Sequence, residues 1–304
     1  MVFPNLRTIP NDTHGSLSHE IDYDSLGQIK VNGKAISEEP DKFYIKGILG
    51  YQSNTAEGVE IKHQLFPSTD KPVFIDIIEI RNSTNQPVEI ELPKIELSHK
   101  TDADKGVRGI YSINVVSNKY GIYNLKPNES LDYALIYSGR EAGEEVPYVS
   151  ADYELNKRKK LIDETFSSLV FESPDEVMDR AFAFAKLRAV ESIFNTKGGL
   201  MHGPGGGAYY AAIWANDQAE YANPFFPFLG NIAGNESAMN SFRHFARFMN
   251  ADYKPIPSSI IAEGLYFWNG AGDRGDMAMI AYGASRFALA CGDKKKASEL
   301  WPLI

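Results

Sequence analysis

The chain has 304 residues, of which 43% are hydrophobic and 23% charged, and its formal net charge is −9. This composition excludes a mostly disordered chain, and the length allows two domains of ordinary size. The acidic balance argues against nucleic acids and anionic membranes as partners and is compatible with a neutral ligand. A single cysteine, Cys291, excludes an intrachain disulfide. No run reaches the roughly 18 consecutive apolar residues of a membrane span, and no signal peptide is recognised, which leaves the compartment undecided between cytoplasmic and exported after signal removal.

The first half of the chain reads as β-structure. Short runs rich in Val, Ile, Tyr and Phe predict strands, and turn signals separate them. The runs are 43–49, 58–66, 73–81, 88–92, 109–116 and 131–137. Val88, Ile90 and Leu92 alternate with glutamates, which is typical of a strand with one solvated face. We therefore expect residues 1–150 to form an antiparallel β-sandwich.

The pattern changes to helical near residue 150. Residues 153–165 are charged and predict a surface helix within a linker at 151–172. Ser173 and Pro174 then predict a helix start, with Ser173 as the N-cap and Pro174 as the first helical residue. This helix should continue to the glycines at 198 and 199.

Further helices are expected throughout 173–304. A short helix at 217–222 should be limited by Pro224 and Pro227. The other predicted helices span 236–249, 276–291 and a segment that begins at Asp293. The helix at 276–291 is small and apolar, so we expect it to be buried on most sides.

A glycine-rich stretch, GGLMHGPGGGAYYAAIWANDQAEY at 198–221, organises the second half. Its glycine density predicts a tightly folded loop that brings backbone close to a ligand. Tyr210, Trp214, Asn216 and Asp217 follow, and aromatic faces beside an amide and a carboxylate suit a sugar. The alternative is a glycine-rich turn that leads into a buried aromatic helix. A phosphate-binding P-loop is disfavoured because no Lys-Ser or Lys-Thr pair closes the run.

A second polar cluster, EGLYFWNGAGDRGD at 263–276, repeats this composition. It supplies Trp268 and Arg274 as further candidates for substrate binding. Glycoside cleavage by hydrolysis uses two carboxylates, and Asp273, Asp276 and Glu263 are the catalytic candidates here. The alternative is that the aspartates only cap the helix at 276–291 and form local ion pairs, with Asp276 as the main capping residue.

Other kinds of site find little support. The six histidines show no metal-ligand spacing, and no serine nucleophile motif is present. We therefore expect neither a metal nor a cofactor. His202 is expected to stack or hydrogen-bond within the glycine-rich loop.

The order of these segments resembles that of a known superfamily. A β-sandwich, a linker helix and helical hairpins that carry GPGGGAYYAAIWANDQAEY at 203–221 and KPIPSSIIAEGLYFWNGAGDRGD at 254–276 are similar to the six-hairpin glycosidases. These include glucoamylase-like, glycogen-debranching-like and rhamnosidase-like enzymes. The resemblance implies an antiparallel β super-sandwich followed by an (α/α) toroid, and a carbohydrate substrate.

The resemblance also implies roles for individual residues. Asp217 matches the aspartate that holds sugar hydroxyls, and Trp214 forms part of the pocket wall. The Ile256-Pro257 segment leads through Gly264-Leu265-Tyr266 to a carboxylate, which is Asp273 or Asp276.

One departure concerns length. About 130 residues follow Ser173, fewer than six helical hairpins require. We interpret the chain as an N-terminal portion of an exo-acting, inverting glycoside hydrolase. An open toroid should leave apolar faces uncovered around Met277, Ile280, Phe287 and Leu289 and favour self-association. A glycoside phosphorylase and a non-catalytic glycan-binding protein are the alternatives.

Overall fold

The computed structural model describes residues 1–203, 212–270, 272 and 274–304. These residues group into two compact units, and each is described by itself. The first unit contains Met1, His19–Asp104 and Arg108–Ile162, and the second contains Val2–Ser18, Lys105–Val107 and Asp163–Ile304. The predicted domain boundaries near 150 and 173 stay a prediction.

In chain order, the strands are β1 (Val2–Arg7), β2 (Ser16–Ser18), β3 (Lys30–Val31), β4 (Lys34–Ala35), β5 (Pro40–Ile45), β6 (Leu49–Asn54), β7 (Val59–Pro67), β8 (Val73–Asn82), β9 (Val88–Leu92), β10 (Glu96–Lys100), β11 (Tyr111–Ser117), β12 (Gly121–Leu125), β13 (Ser130–Glu141), β14 (Ile193–Thr196), β15 (Gly199–His202), β16 (Ala212–Trp214), β17 (Ser259–Ile261) and β18 (Phe267–Trp268). The α-helices are α1 (Ala151–Ser167), α2 (Glu176–Glu191), α3 (Ala215–Asp217), α4 (Asn223–Leu229), α5 (Ile232–Ala246), α6 (Asp276–Cys291) and α7 (Lys294–Leu300). Short 3-10 turns lie at Tyr23–Leu26, Ala103–Lys105, Ala262–Gly264 and Trp301–Leu303, and a π-helical turn at Gln218–Ala222.

The first unit is an antiparallel β-sandwich, as predicted. Its described residues form one sheet in the order β10-β11-β13-β8-β7-β6-β5 and another in the order β12-β9-β3-β4. Apolar side chains from both sheets, among them Ile61, Ile80 and Ile90, share one buried core. The predicted strand at 43–49 is instead two strands, because Gly47 adopts a positive φ in the tight turn between β5 and β6.

Strand β8 is largely buried on both faces, which explains why apolar residues occupy both odd and even positions along it. Ile78 and Ile80 face the core between the sheets, while Ile75 and Ile77 belong to a second core that includes Leu155 of α1. Helix α1 therefore does more than connect, since it covers the outer face of the larger sheet. On this helix the buried Glu154 is paired with Lys71.

A buried charged cluster lies on the larger sheet of the first unit. His63 Nδ1 is 2.9 Å from Asp76 Oδ2, its Nε2 is 2.8 Å from Glu38 Oε2, and its ring stacks on Tyr51 at 4.2 Å. Burial alone would lower the pKa of His63, but the hydrogen bonds and charges of Asp76 and Glu38 raise it to about 9. The imidazole is therefore charged at neutral pH.

The second unit contains the predicted helices, with changed boundaries. Helix α2 is capped by Asp175, not by Ser173, because the Asp175 carboxylate accepts a hydrogen bond from the amide of Val177 at 2.8 Å. It ends at Glu191, earlier than predicted. The residues that follow, which are rich in β-branched and aromatic side chains, pair as the hairpin β14–β15, and Gly199 supplies its positive φ.

The prediction that Pro224 and Pro227 limit the next helix was wrong. Helix α3, the π-helical turn and α4 follow one another from Ala215 to Leu229, and Gly230 ends the run with a positive φ. Pro224 has no N–H to donate to the carbonyl of Glu220, four residues earlier. Arg286 of α6 donates to that carbonyl instead, at 2.7 Å. A side chain thus replaces the backbone donor that the proline lacks.

Helices α5, α6 and α7 pack around one apolar core, which includes Met239, Phe242 and Leu300. The bounds of α6 match the prediction. Of the four residues expected near uncovered faces, Ile280 and Phe287 are buried, Met277 is half-buried, and Leu289 is 84% exposed. The expectation of uncovered faces was wrong for the first two, because they pack into this core. Self-association stays a prediction.

No helix in the described part of the chain is both long enough and apolar enough to cross a membrane.

The His63 cluster predicts a loss of stability at alkaline pH. The folded-state pKa of about 9 lies above the usual 6.5, so the histidine's stabilisation is complete below pH 6.5 and is lost as pH rises through about 9. We expect a net fall on the order of 1–2 kcal/mol in the free energy of unfolding between about pH 7 and pH 10.

Urea unfolding at both pH values measures this difference. In His63→Gln the fall in the free energy of unfolding between pH 7 and pH 10 should be smaller. The control His14→Gln, at an exposed histidine, should show the same fall as the wild type. An unchanged alkaline fall in His63→Gln would contradict the assignment.

Gly283 of α6 predicts a second stability effect. A Cβ at this position would lie 2.5 Å from Cα of Ala219 in the π-helical turn, so a backbone segment would have to move. Helix propensity alone favours alanine by about 1 kcal/mol. We nevertheless expect Gly283→Ala to destabilise the protein by about 1–3 kcal/mol, measured by urea unfolding. Ser285→Ala, two residues further along the helix, is the control, and a stabilised Gly283→Ala would refute the close packing.

Candidate functional site

A small antiparallel sheet brings the two predicted polar segments together. Strand β17 pairs with β16 on one side and with β18 on the other, so that Trp214, Ser259 and Trp268 lie in one row across the sheet. Residues more than fifty positions apart in sequence thus become neighbours. This row belongs entirely to the second unit.

The two tryptophans of this row form an aromatic pair. The ring centroids of Trp214 and Trp268 are 5.1 Å apart with an interplanar angle of 60°, and both side chains are half-buried. Gly270 lies against the Trp268 ring, since a Cβ there would come within 2.4 Å of an indole carbon. Only a glycine fits at this position without moving the indole. Two partly exposed indoles at this distance offer a surface on which a sugar ring can stack.

Asp217 follows Trp214 by less than one helical turn. It is the last residue of α3 and is half-buried, and its Oδ1 accepts a hydrogen bond of 2.6 Å from the hydroxyl of Tyr221. Burial raises the pKa of Tyr221, and the bond to Asp217 raises it further, so Tyr221 remains a neutral donor. Tyr221 was not predicted from the sequence, although its i, i+4 spacing from Asp217 was a usable signal.

Two further polar candidates, Asn216 and Arg274, lie on the surface, and Glu220 is exposed as well. Glu220 is next to Arg286, with 3.8 Å between its Oε2 and Arg286 Nη1. Exposed amide, carboxylate and guanidinium groups are accessible to a ligand, but their exposure alone does not identify which ligand binds.

A buried polar contact fixes the turn that carries Asp217. The Gln218 amide donates to the carbonyl of His202 at 2.8 Å, and both side chains are buried. The His202 ring meets Phe226 edge-on at 5.5 Å. Burial lowers the pKa of His202 to about 4, so its ring is neutral at pH 7. Gln218 was not predicted from the sequence, because a lone glutamine forms no recognisable pattern.

The three catalytic candidates differ in what the structure describes. Glu263 forms an ion pair with Arg7, 3.0 Å from Nη2 to Oε2, and its side chain is 7% exposed. Asp276 is the first residue of α6 and is 2% exposed, while the N-cap position belongs to Gly275, which makes no side-chain cap. Asp273, like Tyr210 in the substrate-binding set, lies outside the described residues. The catalytic assignments stay predictions.

Within the described residues, no three His, Cys, Asp or Glu side chains are grouped closely enough to hold a metal ion.

Solved structures with a similar fold were found. A candidate kojibiose phosphorylase from the human microbiome matches with a TM-score of 0.57 at 8% identity, over 86% of this chain and 45% of that one. A bacterial glucoamylase solved with acarbose matches with a TM-score of 0.45 at 12% identity, over 86% of this chain and 50% of that one. The chain thus spans about half the length of the solved structures it matches.

No family model matches the chain, and no curated protein matches it significantly. The similarity to the phosphorylase structure, at 8% identity, concerns the fold. On that level the predicted fold class is confirmed, because an antiparallel β-sandwich is followed along the chain by the helices of a partial toroid.

Proposed function

We propose that the second unit forms the sugar-binding part of a carbohydrate-active enzyme that cleaves a glycosidic bond at an exposed sugar end. The observation that carries this proposal is the Trp214–Trp268 pair, with Asp217 immediately beyond Trp214 on the chain. Indoles stack on the apolar faces of a pyranose, while a carboxylate accepts hydrogen bonds from its hydroxyls. The fold shared with a candidate kojibiose phosphorylase supports a glucose-containing disaccharide as the first substrate to test.

The roles follow from accessibility. Trp214 and Trp268 form the wall of the site, and Asp217 with Asn216 binds hydroxyls. Tyr221 donates to Asp217 and thereby orients the carboxylate. Tyr210 and Arg274 are kept as further substrate contacts from the sequence.

Among the catalytic candidates, Asp273 is the one we propose for the chemistry. A general acid or base must reach the reacting oxygen directly or through one water. Glu263 is buried in an ion pair with Arg7, and Asp276 is buried at the start of α6. In an inverting hydrolase one carboxylic acid protonates the leaving oxygen and a second carboxylate activates water.

Phosphorolysis is the second candidate reaction, favoured by the assignment of the structural neighbour. In that reaction phosphate attacks in place of water, so one carboxylic acid suffices. Product analysis separates the two. With kojibiose as substrate, hydrolysis releases glucose in the absence of phosphate, whereas phosphorolysis requires inorganic phosphate and yields a glucose phosphate. Saturable binding without either product would instead favour a non-catalytic glycan-binding protein.

Tryptophan fluorescence offers a direct test of binding. The chain has three tryptophans, and Trp301, 73% exposed, lies outside the proposed site. In a Trp301→Phe background the emission reports only on Trp214 and Trp268. We expect kojibiose or glucose to change this emission saturably, and Trp214→Phe or Trp268→Phe to weaken binding about tenfold or more, because part of the stacking surface is lost. No saturable change with any of a panel of glucosides would refute the proposal.

Asp217→Asn tests the carboxylate separately. The substitution keeps the size and one acceptor oxygen but removes the charge that accepts sugar hydroxyls. We expect affinity to fall about tenfold or more while the free energy of unfolding changes by less than about 1 kcal/mol. Glu220→Gln, three residues further on at an exposed position, is the matched control and should retain affinity. Equal affinity in Asp217→Asn and wild type would remove Asp217 from the site.

A further inference from the structure

Arg7 is a buried cation far in sequence from the candidate site, yet it contacts the segment that carries Trp268. It is the last residue of β1 and is 2% exposed. Its Nη2 is 3.0 Å from Glu263 Oε2, and its guanidinium carbon lies 4.6 Å from the centroid of the Tyr266 ring. One side chain therefore holds both ends of the segment 263–266, by charge at one end and by cation–π contact at the other.

This segment is the turn between β17 and β18, and its backbone is unusual. Glu263 and Gly264 adopt positive φ values of 65° and 68° in succession. For glutamate this conformation is unfavourable and persists only where the surroundings enforce it. The enforcing contacts come from several sides, and one of them is the ion pair between Arg7 and the Glu263 side chain.

The other contacts hold the backbone of the same turn. Arg247 Nη2 donates to the carbonyl of Gly264 at 2.7 Å. Cβ atoms are excluded on both sides, since one at Gly264 would lie 2.4 Å from the His244 ring and one at Gly198 would lie 2.7 Å from the Glu263 backbone. The turn is thus packed too closely to change shape without moving its neighbours.

The position of Trp268 depends on this turn. Strand β18 has two residues and pairs with β17 through Ser259 and Ile260 alone. The turn closes with a hydrogen bond from the amide of Ile261 to the carbonyl of Tyr266, at 2.9 Å. So short a strand has little pairing of its own, and the turn sets the register that places Trp268 opposite Ser259 and beside Trp214.

We propose that Arg7 is a positioning residue for the saccharide site: through Glu263 and Tyr266 it fixes the turn that holds Trp268 against Trp214. This inference rests on the proposed function for its link to sugar binding. Arg7 itself does not touch the sugar. Glu263, in turn, serves as the anchor of this clamp instead of as an acid or base.

The test uses a spectroscopic signal that does not change when a variant is merely less stable but still folded. Two indoles at 5.1 Å couple their transitions and give an exciton couplet in circular dichroism, whose sign and size depend on their mutual geometry. Because Trp301 is replaced by phenylalanine in the background, the couplet reports on the Trp214–Trp268 pair alone. Urea unfolding and the affinity for kojibiose are measured on the same variants.

The central variant is the double substitution Arg7→Met/Glu263→Gln. Removing one partner leaves a buried charge without its counterion, whereas removing both avoids this penalty. We expect the double variant to unfold cooperatively, to lose most of the exciton couplet, and to bind kojibiose at least tenfold more weakly. Arg7→Lys retains the charge without the planar stack on Tyr266, and should give an intermediate couplet. It also provides a second reading if the double variant does not fold.

Arg243→Met is the matched control, since Arg243 pairs with Glu236 and Glu299 on the surface of the same unit. It should leave couplet and affinity unchanged. A wild-type couplet in the folded double variant, or in Arg7→Lys, would overturn the positioning role. If the wild type gives the couplet but binds no saccharide, the proposed function fails, while the dependence of the couplet on Arg7 is still decided by the same spectra.

Discussion

The second unit depends on the pairing of one buried three-residue strand with two partners. Ser259, Ile260 and Ile261 of β17 are buried, and their backbone groups bind β16 on one side and β18 on the other. Isolated two-stranded ribbons are marginal in water, so these short strands persist because Ile213, Ile260 and Ile261 lie in the apolar core of the helices. The helices supply the stability, and the strands supply the geometry that brings the two indoles together.

Much of the fold was predictable because its signals are local. Strand alternation at Val88–Leu92 and the apolar run of Asp276–Cys291 gave element bounds that match the structure. The predicted element boundaries were wrong where contacts with residues distant in sequence determine them. A helix through Pro224 needs a donor from Arg286, some sixty residues later, and no local pattern reveals that donor. The end of α2 was predicted too late for another reason. Gly198 and Gly199, which were expected to end the helix, belong to the β14–β15 hairpin, and glycine is common both at helix ends and in hairpin turns.

The site was predictable in composition but not in arrangement. Residue types alone indicated Trp214 and Trp268, while their shared row depends on the register of β17, which the sequence does not encode locally. Tyr221 and Gln218 act through single hydrogen bonds, and Arg7 through an ion pair that joins opposite ends of the chain. A single sequence carries no signal for the Gln218–His202 and Arg7–Glu263 contacts, whereas the i, i+4 spacing of Asp217 and Tyr221 was a usable signal. The burial of Glu263 and Asp276 was not predictable either, since a carboxylate near glycines is typical of a surface loop.

The membership of Val2–Ser18 in the second unit has a consequence for folding during synthesis. Strand β1, which carries Arg7, is synthesised more than 250 residues before its partner Glu263. At about 5–20 residues per second, the wait is on the order of tens of seconds. The first unit can fold during that interval. Meanwhile Arg7 of strand β1 remains without Glu263, and the strand is accessible to proteases or chaperones. Closure of the second unit is therefore a late step, with a high entropic cost of joining distant segments.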